Sequence, residues 1–591
     1  MLALLLLLPA TALVLSPVLF ADFIRLDDYS HLFDNPHLRR MSVAGLAAFW
    51  TKPYFNLYIP VTYSAWWAVT MVGSLFGTLR QQAWLFHALN LAVHLVNVSL
   101  VFFVVRTLLR IGPQNKKAKG NVGRTTVALI SALFFALHPV QVETVAWISE
   151  LKGGLSTMFG LLGLWWHYRK TQRVLAGAFF VAAMLSKPSA IVFPGVVLLI
   201  NRILLEMSLR RSAVMPALYG LPLLVLVFVT KHLQPDSNLD FIPTAAQRLI
   251  VAADALVFYI SKVLIPFPLV LDYGRSPQYV LNHVPGWRMA LSVLLLAAGV
   301  AVVVKALAYP RLPSAKGQWA SLALCGWSIF LVSIAPVLGL VPFGFQDVST
   351  VADHYLYVSL LGVSLAVAGI LIRFSTFTES RSIAAAVLIV FGGLSFQQAR
   401  LWRSTESLFT HTLKVNPRSY LGCYSIAQEH LFARRLDESI EWLTRSLAIH
   451  PNYLDAEIAL GMVWISKGNY TKAIDRYSAA LANNPSTVGI RARPVSSIHN
   501  NLGMVLLRIG REAEAVRHFR KAVEVFPRNV SAHLNLGNVA FARRRYSDAI
   551  AEYETAQRLS PGNPRIEQRL ERARRSARKS LPDDHAQRPS P

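Results

Sequence analysis

The sequence predicts an all-α chain in two parts: a polytopic helical membrane part over residues 1–400, then a helical-repeat α-solenoid over 401–580, with a disordered tail at 581–591. Three observations predict it. Of 591 residues, 54% are apolar and 15% charged, with a mean hydropathy of +0.41, whereas soluble chains run near 25% charged. Eleven apolar runs fall before residue 400. Beyond them, Pro417, Pro451, Pro485, Pro527 and Pro561 follow one another at intervals of 34, 34, 42 and 34 residues.

Composition also excludes. Two cysteines, Cys325 and Cys423, rule out a disulfide framework or a cysteine-based zinc cluster. The net charge of +27 is spread over both parts rather than gathered in a basic tail. It favours an acidic partner or a headgroup surface. Nucleic acid is not an expected partner, because the repeats are placed outside the membrane.

The first run, 1–20, has no basic segment before it and no small-residue cleavage site before Asp22, so it reads as a retained span. The others lie near 83–108, 125–139, 153–168, 174–186, 189–205, 213–230, 288–307, 318–342, 355–373 and 382–397. Basic residues mark alternate loops: Arg106 to Arg124 with Lys116, Lys117 and Lys119; Arg169, Lys170 and Arg173; Arg202, Arg210 and Arg211; Lys305, Arg311 and Lys316; Arg373 and Arg381. This alternation puts the N-terminus in the cytoplasm and the repeats outside. It requires that 247–266, with Arg248, Asp254 and Lys262, lie on or dip into the outer face as an amphipathic helix. Of the acids before residue 400, only Glu206 and Glu379 then fall on the inner side. Asp22, Asp27, Asp28, Asp34, Glu143, Glu150, Asp236, Asp240, Asp254, Asp272, Asp347 and Asp353 fall on the outer side. Longer outer loops account for that bias equally well, but any chemistry belongs there.

A 34-residue period is the tetratricopeptide spacing. Leu460-Gly461, Ala473, Tyr477 and Ala480 precede Pro485; Leu502-Gly503, Ala515, Phe519 and Ala522 precede Pro527; Leu536-Gly537, Ala549, Tyr553 and Ala556 precede Pro561. The unit ending at Pro451 is degenerate, with Ala427 for the glycine and Ser439 for the first alanine. The eight extra residues of the 42-residue interval are placed in a loop, 486–494, and 570–579 reads as a basic capping helix. Such a stack offers a groove for an extended polypeptide.

Chemistry-bearing residues cluster on the outer side. Asp27-Asp28, just past the first span, can take a proton from an attacking hydroxyl or help hold a divalent cation on a phosphate; two solvated loop acids would look the same. His138 to Glu143, then Trp147 to Lys152, supply an imidazole, two acids and a lysine. His138 also suits a structural cap, and Lys152 and Lys187 also suit interfacial anchors. His87, Asn90 and His94 share a helical face and are expected to bond between helices. Asp353-His354-Tyr355 opens the tenth span.

Taken in order, these segments resemble the transmembrane-and-tetratricopeptide-repeat glycosyltransferases, whose eukaryotic members are protein O-mannosyltransferases, and their bacterial relatives. The resemblance rests on Leu26-Asp27-Asp28 with Asn35-Pro36, Tyr58-Ile59-Pro60-Val61-Thr62, and His87 with Asn90 and His94. It continues through His138-Pro139-Val140-Gln141-Val142-Glu143, Ser186-Lys187-Pro188, Asp272-Tyr273, Ala352 to Tyr357, and the repeats. It implies a membrane domain of the GT-C fold that passes a sugar from a polyprenyl-phosphate donor to a hydroxyl of a polypeptide acceptor on the outer face. By that resemblance Asp27 and Asp28 are the catalytic acids of the first outer loop, and Glu143 orients the acceptor or helps hold a cation. Lys187, Lys152, Arg275 and His354 are then expected at the donor phosphate, with His138 and Asp353 as further outer-face candidates. Two departures stand out: Leu151-Lys152-Gly153 where relatives read Arg-Lys-Asp, and Asp353-His354-Tyr355 where they read Asp-Arg-Tyr. Whether a metal is used stays open. The expected setting is a bacterial inner membrane with periplasmic repeats, or an endoplasmic reticulum membrane with lumenal repeats. Two other functions fit the same sequence: a ligase for a whole lipid-linked oligosaccharide, and a non-catalytic membrane-anchored scaffold.

Overall fold

A computed structural model describes residues 2–39, 42–55, 57–112, 121–170, 172–233, 241–308, 317–374, 378–484 and 492–580. Lys116, Lys117, Lys119, Asp236, Asp240, Arg311, Lys316, Pro485 and the tail at 581–591 lie outside them, as do the side chains of Glu379 and Arg381. The described residues are helical throughout apart from loops and one isolated bridge, Tyr54 to Leu57. The chain divides into two compact units, the first running to Ser419 and the second starting at Tyr420.

In the first unit each of the eleven apolar runs falls on a helix. Seven are long and apolar enough to cross a bilayer by length and composition: Ala3–Phe20, Ala83–Ile111, Leu209–His232, Gly286–Ala308, Gly317–Val337, Asp353–Arg373 and Ser382–Leu401. Gly123–Leu137, Arg173–Ser186 and Pro188–Leu204 are shorter apolar helices, and Leu151–Lys170 is a 20-residue helix. The segment read as amphipathic is the helix Ala245–Leu264, started by a capping box between Thr244 and Gln247. Its charges turn inward rather than to solvent: Asp254 pairs with Arg275, and Lys262 donates to the carbonyl of Pro268 at 2.7 Å.

The division falls well beyond the 400/401 boundary that hydropathy suggests, and hydrogen bonds explain why. The Asp22 N–H donates to the Arg403 carbonyl at 3.0 Å, and the Arg25 N–H to Thr405 Oγ1 at 3.0 Å. At the far end of the helix Thr405–Val415, Asn416 Nδ2 donates to the Asp272 carbonyl at 3.3 Å and the Ser419 hydroxyl to the Asp272 carboxylate at 2.5 Å. A polar helix is thereby tied into the apolar unit.

Among the described residues the second unit is four antiparallel helix pairs and a final helix, Pro564–Ser580, which buries Ile566, Leu570 and Ala573 along one stripe. The pairs are Tyr420–Phe432 with Leu436–Ile449, Leu454–Ser466 with Tyr470–Asn483, Ala492–Arg508 with Glu512–Val525, and Val530–Ala542 with Tyr546–Leu559. In three of them a glycine faces an aromatic ring so closely that a Cβ would meet it: Gly461 and Tyr477 at 2.3 Å, Gly503 and Phe519 at 2.7 Å, Gly537 and Tyr553 at 2.5 Å. The degenerate first pair changes both partners together, placing Ala427 with Leu443; the smaller leucine leaves room for the methyl group. Half of the eight-residue insertion is helix rather than loop, since Ala492–Arg508 has 17 residues where the other first helices have 13. Pro494 sits in its first turn, where no intrahelical N–H is lost.

This complementarity is testable. Gly537→Val should weaken the fourth pair by about 1–3 kcal/mol through overpacking, seen as faster amide exchange over 530–559. Adding Tyr553→Leu should recover most of the protection.

Candidate active site in the first unit

Four short segments meet where apolar helices end: the loop after Phe20, the turn from His138 to Lys152, the corner at Lys187, and the start of the helix at Asp353. The first is fixed by Asp28, whose side chain is buried completely. One carboxylate oxygen accepts the Ile24 N–H at 3.0 Å; the other accepts the Ser149 N–H at 3.0 Å and its hydroxyl at 2.5 Å. Burial raises this carboxyl to about 6, although those hydrogen bonds act to lower it. Asp28 is thus a clasp between two segments with both oxygens engaged. Neighbouring Asp27 is half-buried and has no hydrogen-bond partner among the described residues. Burial lifts its carboxyl above the usual range while the Lys152 charge draws it down.

Beside Asp27 lies a buried chain of charges centred on Glu150, which is 1% exposed. Lys152 Nζ approaches Glu150 Oε1 at 3.0 Å and the Ser149 carbonyl at 3.0 Å; Lys187 Nζ donates to Glu150 Oε2 at 2.9 Å. Burial acts to raise the Glu150 carboxyl, but His354, Lys152 and Lys187 outweigh it and hold it well below the usual range. Gly153 makes the arrangement fit, because a Cβ there would come 2.7 Å from Glu150 Oε2. The corner carrying Lys187 is held by Thr62, whose hydroxyl donates to the Ser186 carbonyl at 3.0 Å.

His354 joins this chain to Glu143. Its Nδ1 is 2.6 Å from Glu143 Oε1, and its Nε2 is 3.8 Å from Glu150 Oε1. Burial keeps the Glu143 carboxyl well above the ordinary range, with the charges of Asp353 and Glu150 adding to it. Tyr273 donates to the Asp353 carboxylate at 2.9 Å. Around the same turn, Gln141, Thr144 and Trp147 each bury side-chain polar atoms with no partner among the described residues.

Of the residues singled out from sequence, Asp27, Asp28, Glu143, Lys152, Lys187, Asp353 and His354 converge here. Two do not. The Arg275 guanidinium closes on Asp254, an ion pair that occupies the charge expected at a donor phosphate. His138 is fully buried; its Nε2 is 3.1 Å from the Val263 carbonyl and its Nδ1 accepts the Val140 N–H at 3.4 Å. It acts as a structural tie between two loops. His94 bonds between helices as expected, to the Tyr357 hydroxyl at 2.7 Å, and Asn90 reaches the Trp147 carbonyl in a loop at 2.9 Å, whereas both ring nitrogens of His87 are buried with no partner among the described residues. Sequence reading gave Glu150 no role. Its signal was there, since a lone acid next to a lysine in an apolar stretch needs a paired charge. Among the described residues no three His, Cys, Asp or Glu side chains converge as a cation site.

Residues 452–528 and 500–564 fit two family models described as tetratricopeptide repeat. The chain is 22% identical over 220 residues to a DnaJ homolog subfamily C member 7 homolog of Dictyostelium discoideum, covering 35% of this chain and 39% of that one. Over 121 residues it is 27% identical to DnaJ homolog subfamily C member 3 of Bos taurus, covering 20% and 23%. The chain thus spans well under two thirds of these curated relatives. Among solved structures, a thermophilic tetratricopeptide protein of Thermus thermophilus aligns at 20% identity and TM-score 0.25, over 33% of this chain and 98% of its own. YrrB, described as a tetratricopeptide protein with an unusual peptide-binding site, aligns at 16% and 0.23, over 29% and 84%. No glycosyltransferase family model matches.

The Asp28 clasp has a pH signature. An ordinary Asp ionises near 4 and this one near 6, so the folded unit holds an extra proton between those values and loses stability as pH rises through them. Asp28→Asn should flatten that fall by up to about 3 kcal/mol, read as unfolding midpoints of the full chain at pH 4, 5, 6 and 7. It should also lower the midpoint at pH 7, because an amide NH2 then faces a backbone N–H.

Proposed function

We propose that the first unit is an inverting glycosyltransferase that moves a sugar from a polyprenyl-phosphate donor to a hydroxyl of a polypeptide presented by the tetratricopeptide repeats. One observation carries this reading: the half-buried Asp27 beside the Lys152–Glu150–Lys187 ion chain, at the ends of apolar helices. A lipid-borne phosphosugar meets a base and two ammonium groups there, at the depth its headgroup would occupy.

Asp27 takes the proton of the acceptor hydroxyl as the new bond to the anomeric carbon forms. Its lifted pKa makes it a better base than a solvated aspartate. The bond from that carbon to the phosphate oxygen breaks on the opposite face, and the phosphate leaves with the electron pair. Lys187 and Lys152, 17% and 14% exposed, meet the growing charge. Glu150 positions both ammonium groups, and Asp28 positions its neighbour Asp27. The unpartnered polar atoms of Gln141 and Thr144 suit sugar hydroxyls. His354 and Glu143 close the site. The membrane setting, with the repeats periplasmic or lumenal, belongs to the same proposal.

The similarity of the second unit to repeat proteins favours a second reading, a membrane-anchored scaffold without catalysis. Mass spectrometry of proteins from matched cells separates them. With Asp27→Asn at equal expression, transfer should fall at least about 100-fold, and Lys187→Met should reduce it as well. Loss of one sugar-sized increment supports the transferase; loss of a long glycan would indicate oligosaccharide ligation. No change in any glycan, with a phenotype that needs only residues 420–580, would leave the scaffold.

A further inference from the structure

We propose that His499 and His518, facing each other across the third helix pair of the repeats, form a binding site for a divalent transition-metal cation of the zinc, nickel or copper class. Nothing in the proposed transfer chemistry uses them. Their Nδ1 atoms are 3.0 Å apart, His499 on Ala492–Arg508 and His518 on Glu512–Val525. Two imidazole nitrogens bound to one such ion at about 2.0–2.1 Å stand roughly 3 Å apart, so these rings already have the spacing of neighbouring ligands.

The neighbouring repeats sharpen the inference. The same two positions hold Glu457 and Arg476 in the second pair, 4.0 Å apart, and His533 and Glu552 in the fourth, 2.6 Å apart. Those are complementary pairs that complete one another. In the third pair two like rings meet, and the two can share one N–H···N bond between them. With the proton of each ring on Nε2, a metal ion between the two Nδ1 atoms satisfies both lone pairs at once.

The surroundings allow it. Both rings lie part-buried between the two helices, with their Nδ1 atoms turned toward each other. Imidazole nitrogen suits this class of metal rather than magnesium or calcium. Glu514 lies one turn before His518 on the same helix, its carboxylate held by Arg511 at 2.6 and 2.7 Å. Lys521 and Glu524, paired at 2.6 Å, stand on the other side. Among the described residues no third His, Cys, Asp or Glu completes a cluster. The remaining coordination positions are therefore open to water, to Glu514 after it leaves Arg511, or to a donor atom on a bound polypeptide.

The test uses the purified full chain, stripped with chelator and titrated with Zn2+ alone at pH 7 by calorimetry. A parallel Cu2+ titration is followed by electron paramagnetic resonance. One zinc site is expected whose affinity falls at least about tenfold in His499→Gln and in His518→Gln. It should be unchanged in His533→Gln, which alters the equivalent position one repeat on. Zinc should also slow amide exchange over 492–525 in the unsubstituted chain. Equal zinc affinity in the unsubstituted chain and both variants, with exchange protection over 492–525 intact, overturns the proposal. Should the variants lose that protection, the copper spectrum of the unsubstituted chain decides: two nitrogen ligands support the site, and none overturns it.

Discussion

The first unit depends on offsetting the desolvation of one carboxylate. Glu150 is all but removed from solvent among apolar helices, where an unpaired charge costs several kcal/mol. Lys152 at the start of one helix and Lys187 at the corner after another meet its two oxygens, His354 approaches from a short helical turn, and Gly153 leaves the room that all of them need. Losing any partner exposes the rest to the same penalty, so three segments distant in sequence, around Glu150, Lys187 and His354, are held to one geometry. A cluster of buried charges also fixes where its two ammonium groups lie.

The second unit solves a different problem by a different means. Its helix pairs are set by shape, a missing side chain on one helix answering a ring on the other. Where the ring shrinks to Leu443, the gap shrinks to Ala427. Polar pairs such as Glu457 with Arg476 and His533 with Glu552 then decorate a frame that volume has already fixed. The contrast explains why the repeats match many known proteins, whereas the charge cluster lies outside both stretches that fit a family model.

How much could be read from the sequence follows from the same contrast. Apolar length and the 34-residue interval are one-dimensional signals, so the long apolar helices and the repeats were legible, whereas Val43–Thr51, Pro60–Gly73 and Pro277–His283 were not. The boundary near 400 was not, because the helix Thr405–Val415 is polar and is bound to the first unit by hydrogen bonds to Asp22, Arg25 and Asp272 that hydropathy does not register. Within the site, residue types were legible and pairings were not. Asp27 and Asp28 are adjacent and look alike, yet one carboxylate is enclosed by three donors while the other faces a lysine. Arg275 likewise could not be assigned to Asp254 from spacing, because the loop between them sets the meeting.

The tight fit at Gly153 has a consequence for how such a chain can change over generations. Any side chain there must displace the Glu150 carboxylate, and with it the two lysines. A substitution at 153 therefore acts on the Lys152–Glu150–Lys187 chain as much as on its own helix. The two positions form one steric unit: what position 153 can hold depends on where the Glu150 carboxylate lies.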